Sequence, residues 1–141
     1  MSLAQMLVAV GLGCDRGTPL TTVAQALDAA LAQAGLQRQQ VQVLATIEAK
    51  RDEAALLALA TQGGWPLHFY GADQLAAVPV PNPSATVLRY MGTPSVSEAA
   101  ALLAAGLPAA TLLVEKYKHQ GVDGKNATIS IARISHDCIS H

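Results

Sequence analysis

A glycine-rich stretch near the amino terminus carries the residue types that hold an anion in many proteins. It contains, in order, Gly11, Gly13, Cys14, Arg16, Gly17 and Thr18. Backbone N–H groups in such a turn, together with the N-terminus of a following helix, bind carboxylates and phosphates. Arg16 adds a guanidinium, which recognises either group through two parallel hydrogen bonds. We therefore predict an anion-binding turn, and the alternative is a tight turn that needs glycine for its backbone alone.

The spacing of these glycines does not match the known nucleotide-binding motifs. Gly17 lies one residue later than the third glycine of the G-x-G-x-x-G pattern, and the Gly-Lys-Ser/Thr sequence of a P-loop is absent. A generic nucleotide- or phosphate-binding domain is therefore the least favoured interpretation.

Cys14 and Glu48 are the two candidates for a chemical step. A helix N-terminus would favour the thiolate of Cys14, but a catalytic cysteine also needs a base. No histidine is near Cys14 in the sequence, although His68 or His119 could approach it in the fold. A structural thiol at Cys14 and a solvated carboxylate at Glu48 are the alternatives, so the catalytic residues stay unassigned.

Further candidates for ligand binding follow later predicted elements. Glu48 and Lys50 come directly after a predicted strand, at the edge where α/β sheets bind ligands. Ser95 and Glu98 fit a capping box, in which the glutamate would bond to a backbone N–H group instead of a ligand. Lys116 follows the predicted strand 110–114 and is another candidate for ligand binding. The alternative is a lysine that is solvated in a loop.

The carboxyl-terminal tail contains His136, Cys138 and His141, a spacing that could hold a soft metal ion. Residues 135–141 show no structural pattern, so they are predicted to form a loose tail without the surrounding groups that fix metal ligands. We therefore predict no metal site, and no cofactor is indicated.

The elements that must position these residues alternate between strands and helices. Predicted strands cover residues 6–12, 41–47, 67–70, 110–114 and 128–134. Continuous apolar runs such as the first are typical of strands covered on both faces. The polar connection 115–127 has no helical stripe, which predicts a hairpin with a long loop. We predict one domain over residues 1–141, a three-layer α/β/α sandwich with a mixed, mostly parallel sheet of about five strands that ends in an antiparallel hairpin.

Local signals predict where the helices begin and end. Thr18 followed by Pro19 predicts the start of the first helix, and Gly35 predicts its end. Asp52 is predicted to cap the second helix, and Gly106 to end the helix that follows Ser95.

Composition and charge exclude several classes of protein. The 141 residues are 51% hydrophobic, 4% aromatic and 13% charged, with a formal net charge of −1. The absence of a basic stripe argues against nucleic-acid binding. No apolar run approaches the ~20 residues of a membrane span, and the amino terminus lacks the features of a signal peptide. Two cysteines near opposite ends suggest reduced thiols, so a cytoplasmic location is predicted.

Four stretches, taken in order and spacing, resemble a known family. They are GLGCDRGT at 11–18, ATIEAK at 45–50 followed by Asp52 and Glu53, GTPSVSEAAA at 92–101, and LVEKYK at 113–118 leading to TISIAR at 128–133. Together they resemble CobE and the C-terminal domain of CbiG, which are proteins of cobalamin (vitamin B12) biosynthesis. The resemblance covers residues 8–133.

This resemblance implies a role in construction of the corrin ring, with a precorrin or corrinoid intermediate as ligand and other cobalamin-pathway enzymes as partners. CbiG proteins open the lactone of a cobalt-precorrin and release a two-carbon fragment as acetaldehyde. The chain lacks the additional N-terminal region of full-length CbiG, so it is more similar to the stand-alone CobE of the aerobic route. We predict a protein that binds or handles an intermediate in that route, and the alternative is an enzyme acting on a precorrin.

The chemistry of such a ligand fits the residues already singled out. Precorrins carry many carboxylates around an apolar macrocycle, which Arg16, Lys50, Lys116 and the turn amides would bind. A weak net charge is no objection, because a local cluster of cations suffices. The predicted ligand site comprises Gly11, Gly13, Cys14, Arg16, Gly17, Thr18, Glu48, Lys50, Gly92, Ser95, Glu98 and Lys116.

Overall fold

The computed structural model describes residues 6–78, 96–106 and 112–134. The strands are β1 (Val8–Cys14), β2 (Val41–Ile47), β3 (Leu67–Tyr70), β4 (Leu112–Gln120) and β5 (Asn126–Arg133). The helices are α1 (Leu20–Ala34), α2 (Ala54–Gly63), α3 (Ala72–Ala76) and α4 (Val96–Ala105). Two short 3-10 turns, Arg38–Gln40 and Glu48–Lys50, lie before and after β2.

The strands form one five-stranded sheet in the order β3-β2-β1-β5-β4. β1, β2 and β3 pair in parallel, whereas β5 is antiparallel to both β1 and β4. The sheet is therefore mixed, and β4 and β5 form an antiparallel hairpin at one side. This topology confirms the predicted fold class.

β1 is the central strand and is covered on both faces. Val8, Val10 and Leu12 pack with α1 and α2 in one apolar cluster. Ala9, which points the other way, packs against α4 in a second cluster. The long apolar run of the sequence thus predicted correctly that helices cover both sides of this strand, in three layers.

Gly11 lets α4 approach the sheet closely. A Cβ atom at this position would overlap the carbonyl oxygen of Ser97 and lie 2.8 Å from the backbone nitrogen of Ala101. Both atoms belong to the backbone of α4, which cannot move aside as a flexible side chain could. This close packing alone accounts for a glycine at position 11.

The predicted hairpin had the right partners but the wrong strand lengths. β4 continues to Gln120 and β5 starts at Asn126, so the connection is residues 121–125 and not 115–127. β4 is an edge strand on which Val114 is buried while its neighbours Leu113 and Glu115 are exposed. Polar side chains on an edge strand can reach solvent while their backbone stays in the sheet. The sequence of such a strand therefore resembles that of a loop. β1 likewise runs to Cys14, beyond its predicted end, because pairing with β5 continues that far.

Two predicted helix caps were also wrong. Thr18 does not cap α1, because Pro19 is the residue before the helix and the Thr18 hydroxyl donates to the carbonyl of Asp15 at 2.6 Å. Glu53, and not Asp52, directly precedes α2. The predicted end of α1 is confirmed, since Gly35 adopts a left-handed conformation with φ of 73°.

Several predicted features lie outside the described residues. They are the predicted site residues Gly92 and Ser95, and the candidate metal ligands His136, Cys138 and His141. Within the described segments, no helix is long and apolar enough to cross a membrane. The same segments contain no group of three or more His, Cys, Asp or Glu side chains arranged to hold a metal ion.

We expect Gly11→Ala to lower the free energy of unfolding by about 1–3 kcal/mol or more, because the added methyl group would push α4 away from β1. Gly13→Ala is the matched control, since the nearest atom to its Cβ would be Cβ of Thr128 at 3.9 Å. That variant should change stability by less than about 1 kcal/mol. Urea denaturation of both variants measures the difference, and equal stabilities would contradict the close approach of α4.

Candidate functional site

The candidate site lies at the carboxyl edge of the three parallel strands. β1 leads into the glycine turn, which we define as residues 13–18, and β2 leads into the 3-10 turn Glu48–Lys50. β5 runs antiparallel to β1, so its first residue, Asn126, lies at this same edge. The hairpin loop, residues 121–125, therefore meets the glycine turn. The sequence predicted the first two segments here but not the third.

Asp15 attaches the glycine turn to the start of β5. Its backbone N–H donates to the carbonyl of Asn126 at 3.0 Å. Its carboxylate accepts from the backbone N–H of Asn126 at 2.8 Å and from the side-chain amide of the same residue at 3.2 Å. Three hydrogen bonds between one pair of residues fix this side of the turn.

Glu53 holds the other side of the turn. Gly17 has a φ of +78°, a conformation that favours glycine, and its N–H donates to Oε1 of Glu53 at 2.9 Å. Glu53 is only 5% exposed. Its second oxygen, Oε2, is buried and has no hydrogen-bond partner within the described part of the chain. Sequence reasoning did not assign Glu53 to the site, although its place beside a predicted helix start at this edge was a usable signal.

Arg16 lies between these two anchored residues and extends outward. Its Nη1 atom is 3.5 Å from Oδ1 of Asp52 and 4.0 Å from Oε2 of Glu53. The Arg16 side chain is 66% exposed, so the pair with Asp52 is solvent-screened and contributes little to stability. The guanidinium thus remains accessible to an anionic group from solution.

Two lysines add positive charge around the glycine turn. Cε of Lys125, in the hairpin loop, lies 3.9 Å from the position that a Cβ of Gly17 would occupy. The Lys50 ammonium is close enough to lower the pKa of Cys14 by its charge. Arg16, Lys50 and Lys125 therefore surround one turn, and Lys125 could not be found from the sequence because the predicted hairpin loop was too long to place it.

Cys14 is half-buried against the core beneath α1. Burial raises the pKa of its thiol above the ordinary value, since the thiolate would lose its hydration. The Lys50 charge and a hydrogen bond with Thr18 lower this pKa, while the Glu53 and Asp15 carboxylates raise it, and the net direction is upward. A raised pKa leaves the thiol protonated at neutral pH, which is unlike an activated nucleophile.

The other predicted residues occupy two further places. Glu48 is exposed and forms an ion pair with Arg51, and its Oε2 lies 3.5 Å from where a Cβ of Gly71 would be. Glu98 is fully buried in the first turn of α4, which packs on the opposite face of the sheet from α1 and α2. Lys116 is on the edge strand β4. A single site that also includes Glu98 and Lys116 stays a prediction.

The Ser97 hydroxyl, next to Glu98, lies 2.8 Å from the hydroxyl of Ser130 on β5. Ser130 in turn donates to the carbonyl of Glu115. This buried polar contact joins α4, β5 and β4. No sequence pattern indicates it, because serines are common in both exposed and buried positions.

Comparison with known proteins now identifies the family. The family model described as "Cobalamin synthesis G C-terminus" matches residues 8–132. The chain belongs to this family. It is therefore a cobalamin biosynthesis protein, and the resemblance of the four sequence stretches is confirmed.

Two curated relatives carry names from the same pathway. This family member is 35% identical to a cobalt-precorrin-5A hydrolase of Priestia megaterium over 93% of its own length. It covers only 33% of that relative, so it spans about a third of the hydrolase. It is also 39% identical to Protein CobE of a Sinorhizobium species, over 76% of this chain and 70% of that protein.

Solved structures of cobalamin biosynthesis proteins share the fold. A crystal structure of CobE has a TM-score of 0.77 and 31% identity, and the match covers 94% of this chain and 97% of that one. The structure of chiG from Agrobacterium tumefaciens has a TM-score of 0.63 and 30% identity, with 92% and 99% coverage.

The environment of Cys14 predicts how its thiol titrates. In a Cys138→Ser background, we expect Cys14 to titrate at a higher pH than a free cysteine in the same buffer. Lys50→Ala should raise the pKa of Cys14 further, because it removes a nearby positive charge, and Glu53→Gln should lower it. The rate of alkylation by iodoacetamide against pH measures these shifts.

Arg133→Ala is the control, because Arg133 pairs with Val8 at the opposite edge of the sheet. It should leave the titration of Cys14 unchanged. A pKa below that of free cysteine would show instead that Cys14 is activated, which would restore it as a candidate nucleophile.

Proposed function

We propose that this protein binds a precorrin or corrinoid intermediate at the carboxyl edge of its sheet, with the glycine turn as the carboxylate-binding part. The observation that supports this proposal is the grouping of Arg16, Lys50 and Lys125 around the turn. These three cations come from segments far apart in the sequence. In a cobalamin biosynthesis protein, a cationic cluster of this kind fits an intermediate with many peripheral carboxylates.

The proposed ligand matches the chemistry of this edge. Arg16 would bind a carboxylate of the ligand through two N–H groups, and Lys50 and Lys125 would bind others as compact point charges. The formal net charge of −1 does not weaken attraction at the site, since a local group of cations attracts an anionic ligand. The same interaction should weaken with added salt, because the cations are partly exposed.

We also propose that binding serves the aerobic route and involves transfer of the intermediate to or from other enzymes of the pathway. The similarity to stand-alone CobE supports this placement. A protein that hands on an intermediate must release it, and solvent-exposed ion pairs are weak enough to permit release.

Hydrolysis of a cobalt-precorrin is the second candidate function, and the identity to the Priestia megaterium hydrolase favours it. One observation favours binding instead. The pKa of Cys14, the candidate nucleophile, is raised by burial.

Titration with hydrogenobyrinic acid, a cobalt-free corrin with carboxylate side chains, tests the binding proposal. We expect saturable changes in absorbance and heat, and a loss of affinity of about threefold to tenfold for Arg16→Ala, the loss typical of one ordinary hydrogen-bonded contact made by a solvent-exposed side chain. Arg133→Ala removes the same charge from the opposite edge of the sheet and should bind like the unmodified protein. No binding up to about 1 mM ligand would contradict the proposal, because it corresponds to a binding free energy weaker than about −4 kcal/mol.

Mass spectrometry separates binding from catalysis. After incubation with a cobalt-precorrin or precorrin bearing the lactone, we expect the mass of the ligand to be unchanged. Loss of a two-carbon fragment would instead support the hydrolase function, and repetition with Cys14→Ser and Glu48→Gln would then show whether either side chain takes part.

A further inference from the structure

We propose that Glu53 is a positioning residue for Arg16: its buried carboxylate fixes the glycine turn so that the guanidinium is directed outward before the ligand arrives. This inference rests on the proposed function and concerns the same site. It adds a residue that does not itself contact the ligand but determines how well Arg16 does.

The glycine turn is held on both sides of Arg16. On the amino-terminal side, Asp15 makes three hydrogen bonds to Asn126 of β5. On the carboxyl-terminal side, Gly17 donates its N–H to Glu53. Each flanking residue is therefore bonded to a different distant element, and Arg16 is the residue between them. Because both neighbours are fixed, the direction in which the Arg16 side chain leaves the backbone is fixed as well.

The backbone and the side chain of Glu53 have separate roles. It directly precedes α2, where its own carbonyl accepts the first helical hydrogen bonds, from Leu56 and Leu57. Its side chain does not cap that helix but crosses to Gly17, 36 residues earlier in the sequence. The backbone of Glu53 thus starts α2 while its carboxylate organises a turn on a neighbouring strand.

Burial of the Glu53 carboxylate is energetically unfavourable unless another effect compensates for it. Glu53 is 5% exposed, and removing a carboxylate from water is costly unless its oxygens are satisfied. Only Oε1 is hydrogen-bonded within the described segments, and the Nη1 atom of Arg16 lies 4.0 Å from Oε2. A carboxylate kept under these conditions is better explained by its effect on Gly17 and Arg16 than by a contribution to stability.

Preorganisation gives the physical link to binding. A long, exposed arginine loses rotamer freedom when it binds a carboxylate, and the loss is smaller when its backbone is already fixed. Groups that bind a ligand are most effective when a second set of contacts holds them in place. Glu53 would supply that second set of contacts.

The test is a double-mutant cycle on the full chain, with hydrogenobyrinic acid as the probe. We expect Glu53→Ala to weaken binding by about threefold to tenfold, close to the effect of Arg16→Ala. Glu53→Gln should bind within about twofold of the unmodified protein, because its amide oxygen can still accept the Gly17 N–H. In an Arg16→Ala background, Glu53→Ala should have no further effect, since the residue it positions is gone.

Two further variants complete the test: a second substitution of Glu53 and a control substitution of another carboxylate. Glu53→Asp retains the charge but is one methylene too short for the bond to Gly17, so it should behave like Glu53→Ala even if the alanine variant fails to fold. Asp73→Ala removes an exposed carboxylate from the first turn of α3 and should leave binding unchanged.

The outcomes separate this inference from the proposed function. If Arg16→Ala weakens binding but Glu53→Ala and Glu53→Asp do not, the positioning role of Glu53 is overturned and the binding function stands. If Glu53→Ala weakens binding equally in the Arg16→Ala background, Glu53 acts on the fold in general and the inference is wrong. If the unmodified protein binds no corrin, the proposed function itself fails.

Discussion

The close contact between the backbone of α4 and the centre of β1 is the constraint on which the other layers depend. Gly11 has no room for a Cβ atom because the first turn of α4 lies directly on it. The facing surfaces are built from small side chains, with Ala9 on β1, Ala101 on α4 and Ala132 on β5 all fully buried. Alanines fill much of this side of the sheet at short distance, and most of the buried Leu and Ile side chains of the described segments lie in the cluster on the other side, beneath α1 and α2.

Covering β1 on both faces also determines where polar chemistry can occur. Apart from enclosed contacts such as that between Ser97 and Ser130, the interior of the sheet is apolar, so the polar groups that can meet a ligand lie where the parallel strands end. There, the almost fully buried Glu53 carboxylate accepts from the backbone N–H of Gly17 in the turn. The exposed Asp15 carboxylate, in the same turn, accepts from the backbone N–H of Asn126 at the start of β5. The cations around them stay partly solvated. At this edge the backbone of the turn is fixed, while the cationic side chains are partly solvated and can adjust to a ligand. This combination suits a ligand that must be both recognised and released.

Much of the fold could be predicted from the sequence because its signals are local. The apolar run at Val41–Ile47 and the left-handed Gly35 depend only on neighbours in the chain, and both were predicted correctly. The full length of β4 was not, because an edge strand carries polar residues that resemble a loop. Of the candidate site, the turn and Arg16 could be proposed from residue types, whereas Glu53 and Lys125 reach the turn from other elements. Their contribution depends on tertiary distances, which no local pattern contains.

The position of β5, antiparallel beside β1, affects when the candidate site forms during folding. Asp15 and Asn126 are 111 residues apart, so their hydrogen bonds close most of the chain into one loop. Contacts of such high sequence separation form late, because the entropy of loop closure must first be offset by other native contacts. The glycine turn therefore acquires its final shape only when β5 takes its place. A ligand that needs this shape binds only the fully folded chain, and its binding would favour completion of folding over every partly assembled form.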